Sequence, residues 1–188
     1  MQNFLKIIGV DDGKFHAYMR EKIQYSVLCA VLMEACKIFD IKLARIKVDG
    51  FDATEKLINM LENISADAII LSGITFAGFN IIDPFLVFKK LNFPIIIIST
   101  KKPNNISMFK ALKTHFYDWE KRWEIIENLG KIYSTIPKHG EPEIYFEVVG
   151  NNSDWAEMIL KASSILSRIP EPVRVAGLIA KGVSNLNY

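Results

Sequence analysis

The chain has 188 residues, of which half are hydrophobic and 23% are charged, a composition that excludes wholesale disorder. Its net charge of +2 is too small to identify a partner, because strongly basic nucleic-acid binders carry more charge or concentrate it on one face. No apolar run approaches the roughly 18 residues that span a bilayer, and the N-terminus lacks a signal-peptide pattern. We therefore expect one cytoplasmic domain over residues 1–188, with no membrane contact.

Three strands are predicted at the start of the chain. Residues 5–10 are an apolar run typical of a buried strand, and residues 25–35 form a second apolar stretch. Residues 41–48 alternate apolar and polar side chains, which is the period of a half-exposed strand. The short connection at 37–40 predicts a hairpin, and a short return between the first two strands would complete an antiparallel meander.

Helices and strands alternate after the meander. Amphipathic spacing predicts the helices, and short apolar runs predict strands in the middle of a sheet that is covered on both faces. The predicted elements are a helix at 53–64, a strand at 67–71, a helix at 81–91 and a strand at 94–99.

The last third of the chain is predicted to be mainly helical. Residues 103–130 carry a candidate core stripe of Tyr117, Trp119, Trp123 and Ile126. The pair Lys121-Arg122 in this segment is interpreted as part of a solvated face. A strand at 144–149 follows, then a helix capped by Ser153 and a last helix opened by Pro172.

The order of elements is β-β-β-α-β-α-β, then α, then β-α-α. Three antiparallel strands followed by βα units are typical of the ribonuclease H-like architecture. We therefore predict an α/β fold with a mixed sheet, in which strands one to three are antiparallel and the next βα units are parallel, flanked by helices.

Five oxygen-bearing side chains follow the strands of this predicted sheet. Strands one, three and four of such a sheet run parallel, so their carboxyl ends open on one edge, where ligand sites gather. Carboxylates at that edge repel one another unless a hard cation such as Mg²⁺ or Mn²⁺ lies between them. A pair of these ions is the usual apparatus for phosphodiester cleavage. The candidate metal ligands are Asp11, Asp12, Asp49, Asp52 and Ser72.

Each acid also has a structural alternative. Asp52 with Glu55 matches a capping box at the start of a helix. Asp12 and Asp49 each precede a glycine, as ordinary turn residues do. Asp11 has the weakest alternative, because it is the first residue after a buried strand and Asp12 can serve the turn.

A glycine-containing loop follows the strand at 67–71. Such a loop before a helix can receive an anion on its backbone N–H groups. Exposed aromatic rings there would stack on a base, with core packing as the alternative, and Asn80 with Asp83 also fits a capping box. The candidate substrate contacts are Gly73, Thr75, Phe76, Gly78, Phe79 and Asn80.

Four motifs carry a resemblance that extends over nearly the whole chain: "GVDDG", "VDGFDATE", "GITFAGFNIID" and "EPVRVAGLIAKG". In this order they resemble the archaeal family called domain of unknown function 99. That family is similar in fold to endonuclease V, a ribonuclease H-like, Mg²⁺-dependent enzyme that cuts nucleic acid near deaminated bases. The resemblance implies that Asp11 and Asp52 are catalytic and hold the metal, with support from Asp12 or Asp49.

Residue 72 departs from the pattern of the family. Other members have "DGITFAGFN", so the third acid of endonuclease V corresponds here to Ser72, whose hydroxyl is a weak neutral ligand. One function that follows is a metal-dependent protein that binds DNA or RNA and hydrolyses phosphodiester bonds. The alternative is an inactive domain that binds nucleic acid or protein through the loop Gly73–Asn80. The sequence leaves the oligomeric state open.

Overall fold

The computed structural model describes residues 5–15 and 24–184, and the connection between the first two strands lies largely outside them. The strands are β1 (Lys6–Asp12), β2 (Tyr25–Glu34), β3 (Lys37–Lys47), β4 (Ala68–Leu71), β5 (Thr75–Phe76), β6 (Asn80–Ile81), β7 (Ile95–Ser99), β8 (Tyr133–Thr135) and β9 (Ile144–Val149). The helices are α1 (Ala53–Leu61), α2 (Pro84–Leu91), α3 (Asn105–His115), α4 (Trp119–Glu127), α5 (Ser153–Ser163) and α6 (Glu171–Val183).

Seven of the strands form one mixed sheet in the order β3-β2-β1-β4-β7-β9-β8. β1, β2 and β3 make an antiparallel meander, and β4 and β7 extend it in parallel with β1. β9 and β8 then pair antiparallel to their neighbours, while β5 and β6 form a separate small hairpin. The predicted mixed α/β sheet is confirmed, and β1, β3 and β4 run in the same direction.

The centre of the sheet is covered on both faces, as its apolar runs predict. Every residue of β4 is buried, and so are the four isoleucines of β7. Alternate side chains pack under α1 to α4 on one face and under α5 and α6 on the other. Burial of each large aliphatic side chain contributes about 1.5–3 kcal/mol. No helix within the described ranges is both long and apolar enough to cross a bilayer.

Helix α6 approaches β1 at backbone distance because glycines lie at the points of contact. A Cβ on Gly9 would lie 2.1 Å from the carbonyl carbon of Pro172. A Cβ on Gly177 would lie 2.2 Å from Oδ2 of Asp11. Since no side chain larger than hydrogen fits at either point, α6 is fixed along β1 and forms a wall beside its carboxyl end.

The starts of α5 and α2 differ from their predicted caps. The cap of α5 is Asn152 and not Ser153, since the Asn152 side-chain oxygen accepts from the N–H of Trp155 at 2.9 Å. Helix α2 begins at Pro84, later than predicted, because Asp83 caps its first turn. Backbone donors at a helix start take whichever acceptor the local turn presents, so neighbouring polar residues compete for the cap.

The predicted helical segment 103–130 contains two helices, α3 and α4. Tyr117 lies between them and is 100% exposed, so its assignment to the core was wrong. Trp119 and Trp123 do pack against the core, and Ile126 is buried in it. The stripe therefore belongs to α4 alone.

The hairpin between β2 and β3 is tighter than predicted. Its turn contains Ala35 and Cys36, so β3 begins at Lys37. Ala35 has a φ of 50°, the left-handed backbone that two-residue hairpin turns require.

Candidate functional site

Asp11 and Ser72 meet at the carboxyl ends of β1 and β4. The Ser72 hydroxyl donates to Oδ1 of Asp11 at 2.6 Å, and Oδ2 of Asp11 lies 3.8 Å from Nζ of Lys181 on α6. Asp11 is therefore held between a neutral hydroxyl and a cation. The predicted convergence of these two strand ends on one edge is confirmed. We call Asp11, Asp12 and Ser72 the acidic edge.

Asp12 follows Asp11 along the strand, so its side chain points to the opposite face of the sheet. There its carboxylate accepts from the N–H of Ala77 at 2.5 Å. Burial raises the pKa of the Asp12 carboxyl, the Ala77 hydrogen bond opposes that rise, and the charge of Asp11 adds to it. Asp12 thus ties the end of β1 to the loop after β4.

Asp49 closes a turn after β3, where its φ is 56°. Its Oδ1 accepts from the N–H of Phe79 at 2.9 Å, and its own N–H donates to the carbonyl of Ala77 at 2.9 Å. Gly78 has a φ of 87°, and a Cβ there would lie 2.2 Å from Oδ1 of Asp49. Only glycine fits this approach, so Asp49 and Gly78 join the two loops to each other.

Asp52 precedes α1 but forms no side-chain cap, so the predicted capping box with Glu55 is wrong. Its Oδ1 accepts from the N–H of Lys47 at 3.2 Å and from Nδ2 of Asn80 at 2.6 Å. Asn80 caps the helix instead, since its Oδ1 accepts from the N–H of Ala53 at 3.0 Å. Asn80 is fully buried and its amide is engaged at both atoms, so it supports α1 and offers nothing to a substrate.

Arg122 on α4 fixes the loops that carry Asp49 and Phe79. It is 3% exposed, so its interpretation as a solvated residue was wrong. Its guanidinium donates to both oxygens of Asp118 at 2.9 Å, and to the carbonyls of Gly50 at 2.8 Å and Phe79 at 2.6 Å. The hydrogen bonds from Arg122 hold the pKa of Asp118 below its usual value. Arg122 is therefore a positioning residue. Its place beside Lys121 along the chain gave no sign of this role.

The acids do not form a metal centre of the kind that the resemblance implies. Oxygens of Asp12, Asp49 and Asp52 accept from backbone or amide N–H groups. Over residues 5–15 and 24–184, no group of three or more His, Cys, Asp or Glu side chains is placed to hold a metal ion. Ser72, at the position of the third acid, donates its hydroxyl hydrogen bond to Asp11. The residues present therefore do not fit a two-ion site.

A cleft of about 510 Å³ opens beside the acidic edge. Asp11, Asp12 and Ser72 line it, and so do Arg174 and Lys181 of α6. Both cations are paired with a carboxylate, since Arg174 donates to Glu171 at 2.9 Å and 2.6 Å and Lys181 lies 3.8 Å from Asp11. An anionic ligand would meet cations on the helix wall, and a hydrogen-bond donor would meet the carboxylates.

The loop residues predicted to contact a substrate differ in how much of their surface is accessible. Thr75 lines the cleft, and Gly73 lines a smaller cavity beside it. Phe76 is 1% exposed, so it has no surface on which a base could stack. Phe79 is half-buried, with its ring centroid 5.3 Å from that of Phe116. Core packing, the alternative considered for these rings, describes them better.

The smaller cavity has a volume of about 180 Å³. Ser72, Thr75 and Ser99 line both this cavity and the cleft. Glu147 of β9 also lines the cavity and is 7% exposed, and its burial raises the pKa of its carboxyl to about 7. Sequence reasoning passed over Glu147, although a single carboxylate in the apolar strand 144–149 was the signal that could have found it.

Solved structures with the same fold include nucleases. A protein of unknown function from Archaeoglobus fulgidus matches with a TM-score of 0.83 at 27% identity, covering 96% of this chain and 99% of that one. Endonuclease V from Ciona intestinalis, in complex with a 24mer DNA containing an inosine, matches with a TM-score of 0.57 at 15% identity over 96% and 85%. The NurA nuclease from Sulfolobus solfataricus matches with a TM-score of 0.54 at 14% identity over 96% and 80%. The fold is therefore ribonuclease H-like, as predicted.

Closer relatives in sequence are archaeal proteins named UPF0215. The protein from Nanoarchaeum equitans is 39% identical over 189 residues, covering 98% of this chain and 90% of the relative. The protein from Pyrococcus furiosus is 36% identical over 185 residues, covering 95% and 92%. A family model described as "Endonuclease dU" matches residues 3–184. Because that match spans nearly the whole chain, the chain belongs to the endonuclease dU family.

Proposed function

We propose that this chain binds nucleic acid in the cleft beside the acidic edge, with DNA that contains deoxyuridine as the ligand. The cleft itself carries the proposal. It lies at the carboxyl ends of parallel strands, where ligands of open α/β sheets bind, and Arg174 and Lys181 are among the residues that line it. Cationic side chains contact backbone phosphates and position a nucleic acid. The family description supports deoxyuridine, and the endonuclease V structure holds DNA with an inosine.

A binding assay with matched lysine variants tests this proposal. Fluorescence anisotropy of a labelled single-stranded DNA carrying one deoxyuridine would be measured over a range of salt concentrations, with RNA of the same sequence in parallel. Lys181→Ala should weaken binding and lower the salt slope by about 1, because one phosphate contact is lost. Lys161→Ala on α5, whose lysine pairs with Glu157 at 2.6 Å, is the control and should bind as the wild type does.

The outcomes of this assay separate clearly. If Lys181→Ala and Lys161→Ala change affinity and salt slope equally, the cleft is not the binding surface. If the wild type binds neither DNA nor RNA at low salt, the proposed function is wrong.

Metal-dependent hydrolysis is a second candidate function, and Asp11 favours it. Asp11 lines the open cleft, and the family description names an endonuclease. Ser72 opposes it, because a hydroxyl in place of a carboxylate removes one negative charge from the shell that a metal ion needs. We therefore propose weak metal binding and slow or absent cleavage by the natural chain.

Restoring the third carboxylate tests the second candidate. Ser72→Asp should tighten Mn²⁺ binding, measured by isothermal titration calorimetry, and cleavage of deoxyuridine-containing DNA would then be followed on gels. Asp11→Asn is the control that should remove any such activity. Robust metal-dependent cleavage by the wild type that Asp11→Asn abolishes would establish the enzyme and overturn our preference for binding alone. Unchanged Mn²⁺ affinity in Ser72→Asp would show that residue 72 does not face a metal position.

A further inference from the structure

Glu147 is a buried acid that belongs neither to the lining of the cleft nor to the acidic edge. It is 7% exposed, and within the described part of the chain no donor or cation contacts its carboxyl group. Burial alone accounts for the rise of its pKa to about 7. Among the described residues no fully buried side-chain N or O atom lacks a hydrogen-bond partner, so the Glu147 carboxyl oxygens border accessible space where a ligand can bind them.

The register of the sheet aims this carboxyl at the cavity. Glu147 lies opposite Ile97 of β7, and Ile97 lies opposite Leu71 of β4. Side chains in register point to the same face of a sheet, and Leu71 and Ile97 belong to the core under α1 to α4. Glu147 therefore projects on that face, and it is the only ionisable side chain among the described residues that line the cavity.

The cavity combines apolar walls with a polar rim. Its volume of about 180 Å³ lies below the roughly 300–1,000 Å³ of sites that enclose whole small molecules, so it suits one ring of a larger ligand. Apolar side chains form the walls and small polar side chains the rim: the walls include Ile97, Met108 and Leu129, and the rim includes Ser72, Thr75 and Asn105. Since Ser72 and Thr75 also line the cleft, a ligand in the cleft can place one group in this cavity.

The chemistry of a carboxyl group in such surroundings selects a particular partner. A neutral carboxyl presents one O–H donor beside one acceptor oxygen. A ring with an N–H next to a carbonyl matches it, because the ring N–H donates to the carboxyl oxygen and the carboxyl O–H donates to the ring carbonyl. Uracil and hypoxanthine both present that edge. The pair is neutral, so it avoids the cost of a buried charge.

We infer that Glu147 is a specificity-determining residue, which binds the N–H and carbonyl edge of one base of the ligand in the cavity between β4, β7 and β9. This inference rests on the proposed function, and it names the group that the site reads. Glu147 acts through hydrogen bonds to the base and takes no part in bond cleavage.

Two variants of similar shape test the inference. Glu147→Gln keeps one donor beside one acceptor, whereas Glu147→Leu removes both at similar volume. Each would be titrated in EDTA against two labelled single-stranded DNAs that differ at one position, which is deoxyuridine in the first and an abasic site in the second. The wild type should prefer deoxyuridine by about tenfold or more. Glu147→Gln should keep this preference, and Glu147→Leu should lose it while still binding the abasic strand.

Controls make every outcome decisive. Glu157→Gln on α5 removes a half-buried acid outside the cavity and should behave as the wild type does. Circular dichroism would verify that each variant is folded. A deoxyuridine preference that Glu147→Leu retains would overturn the inference while leaving the proposed function intact. If the wild type binds no DNA, the proposed function fails, and free uracil titrated by NMR decides the inference: binding by the wild type but not by Glu147→Leu supports it, and absence of binding refutes it.

Discussion

The raised pKa of the Glu147 carboxyl predicts how stability depends on pH. In the folded protein its pKa is about 7, against the ordinary value of 4.5. The folded chain therefore holds this proton more tightly than the unfolded chain does. The stability that depends on the proton is fully present below pH 4.5, and it is lost as the pH rises to about 7.

The magnitude follows from the same two values. At about 1.4 kcal/mol for each pH unit, the rise from 4.5 to about 7 corresponds to about 3 kcal/mol. Glu147→Gln is neutral at every pH and should escape this loss. We expect the free energy of unfolding of the variant to exceed that of the wild type by about 1 kcal/mol at pH 5 and by about 3 kcal/mol at pH 8.

Urea unfolding followed by tryptophan fluorescence, repeated from pH 5 to pH 8, measures this difference. Glu157→Gln is the matched control, because the Glu157 side chain is 40% exposed and surface ion pairs contribute about 0–1 kcal/mol. A difference between wild type and Glu147→Gln that stays constant over this range would contradict the raised pKa, because Glu147 would then ionise as it does in the unfolded chain.

Three further predictions concern the supports of the acidic edge. Arg122→Ala should lower the free energy of unfolding by about 3 kcal/mol, because it leaves a carboxylate and several carbonyls without their donor. The control Lys121→Ala should change the free energy of unfolding by less than about 0.5 kcal/mol. Equal losses in the two variants would contradict the structural role of Arg122. Gly177→Ala should cost about 1–3 kcal/mol in the same assay, because its methyl group would lie 2.2 Å from Oδ2 of Asp11; an unchanged midpoint would mean that α6 is not held against β1. Millimolar Mn²⁺ should raise the melting temperature of Ser72→Asp by binding the native state, and adding Asp11→Asn should remove that rise; a rise that persists would place the ion elsewhere.

The parts of the site that follow from strand order could be predicted from the sequence. Asp11 and Ser72 come directly after apolar runs, and the direction of those strands is enough to bring their ends together. No side-chain geometry is needed for that conclusion. The same reasoning correctly placed β4 and β7 in the middle of the sheet.

The parts that depend on contacts between distant segments could not be predicted. Asp52 and Glu55 match a capping box by spacing, yet Asn80 from a later loop takes the helix N–H group. Arg122 lies beside a lysine in a helix, and nothing in that pattern shows that two loops will surround it. Glu147 is one acid in an apolar strand, and only the packed structure reveals that none of the described residues donates to it.

The contact between α6 and β1 has a consequence for the order of events during synthesis. Lys14 and Ser184 are 170 positions apart in the chain, and the backbone N–H of the first donates to the hydroxyl of the second at 2.9 Å. The wall that carries Lys181 is therefore translated long after Asp11 at the end of β1. Contacts so distant in sequence form slowly. A nascent chain therefore lacks a complete cleft until translation has passed α6.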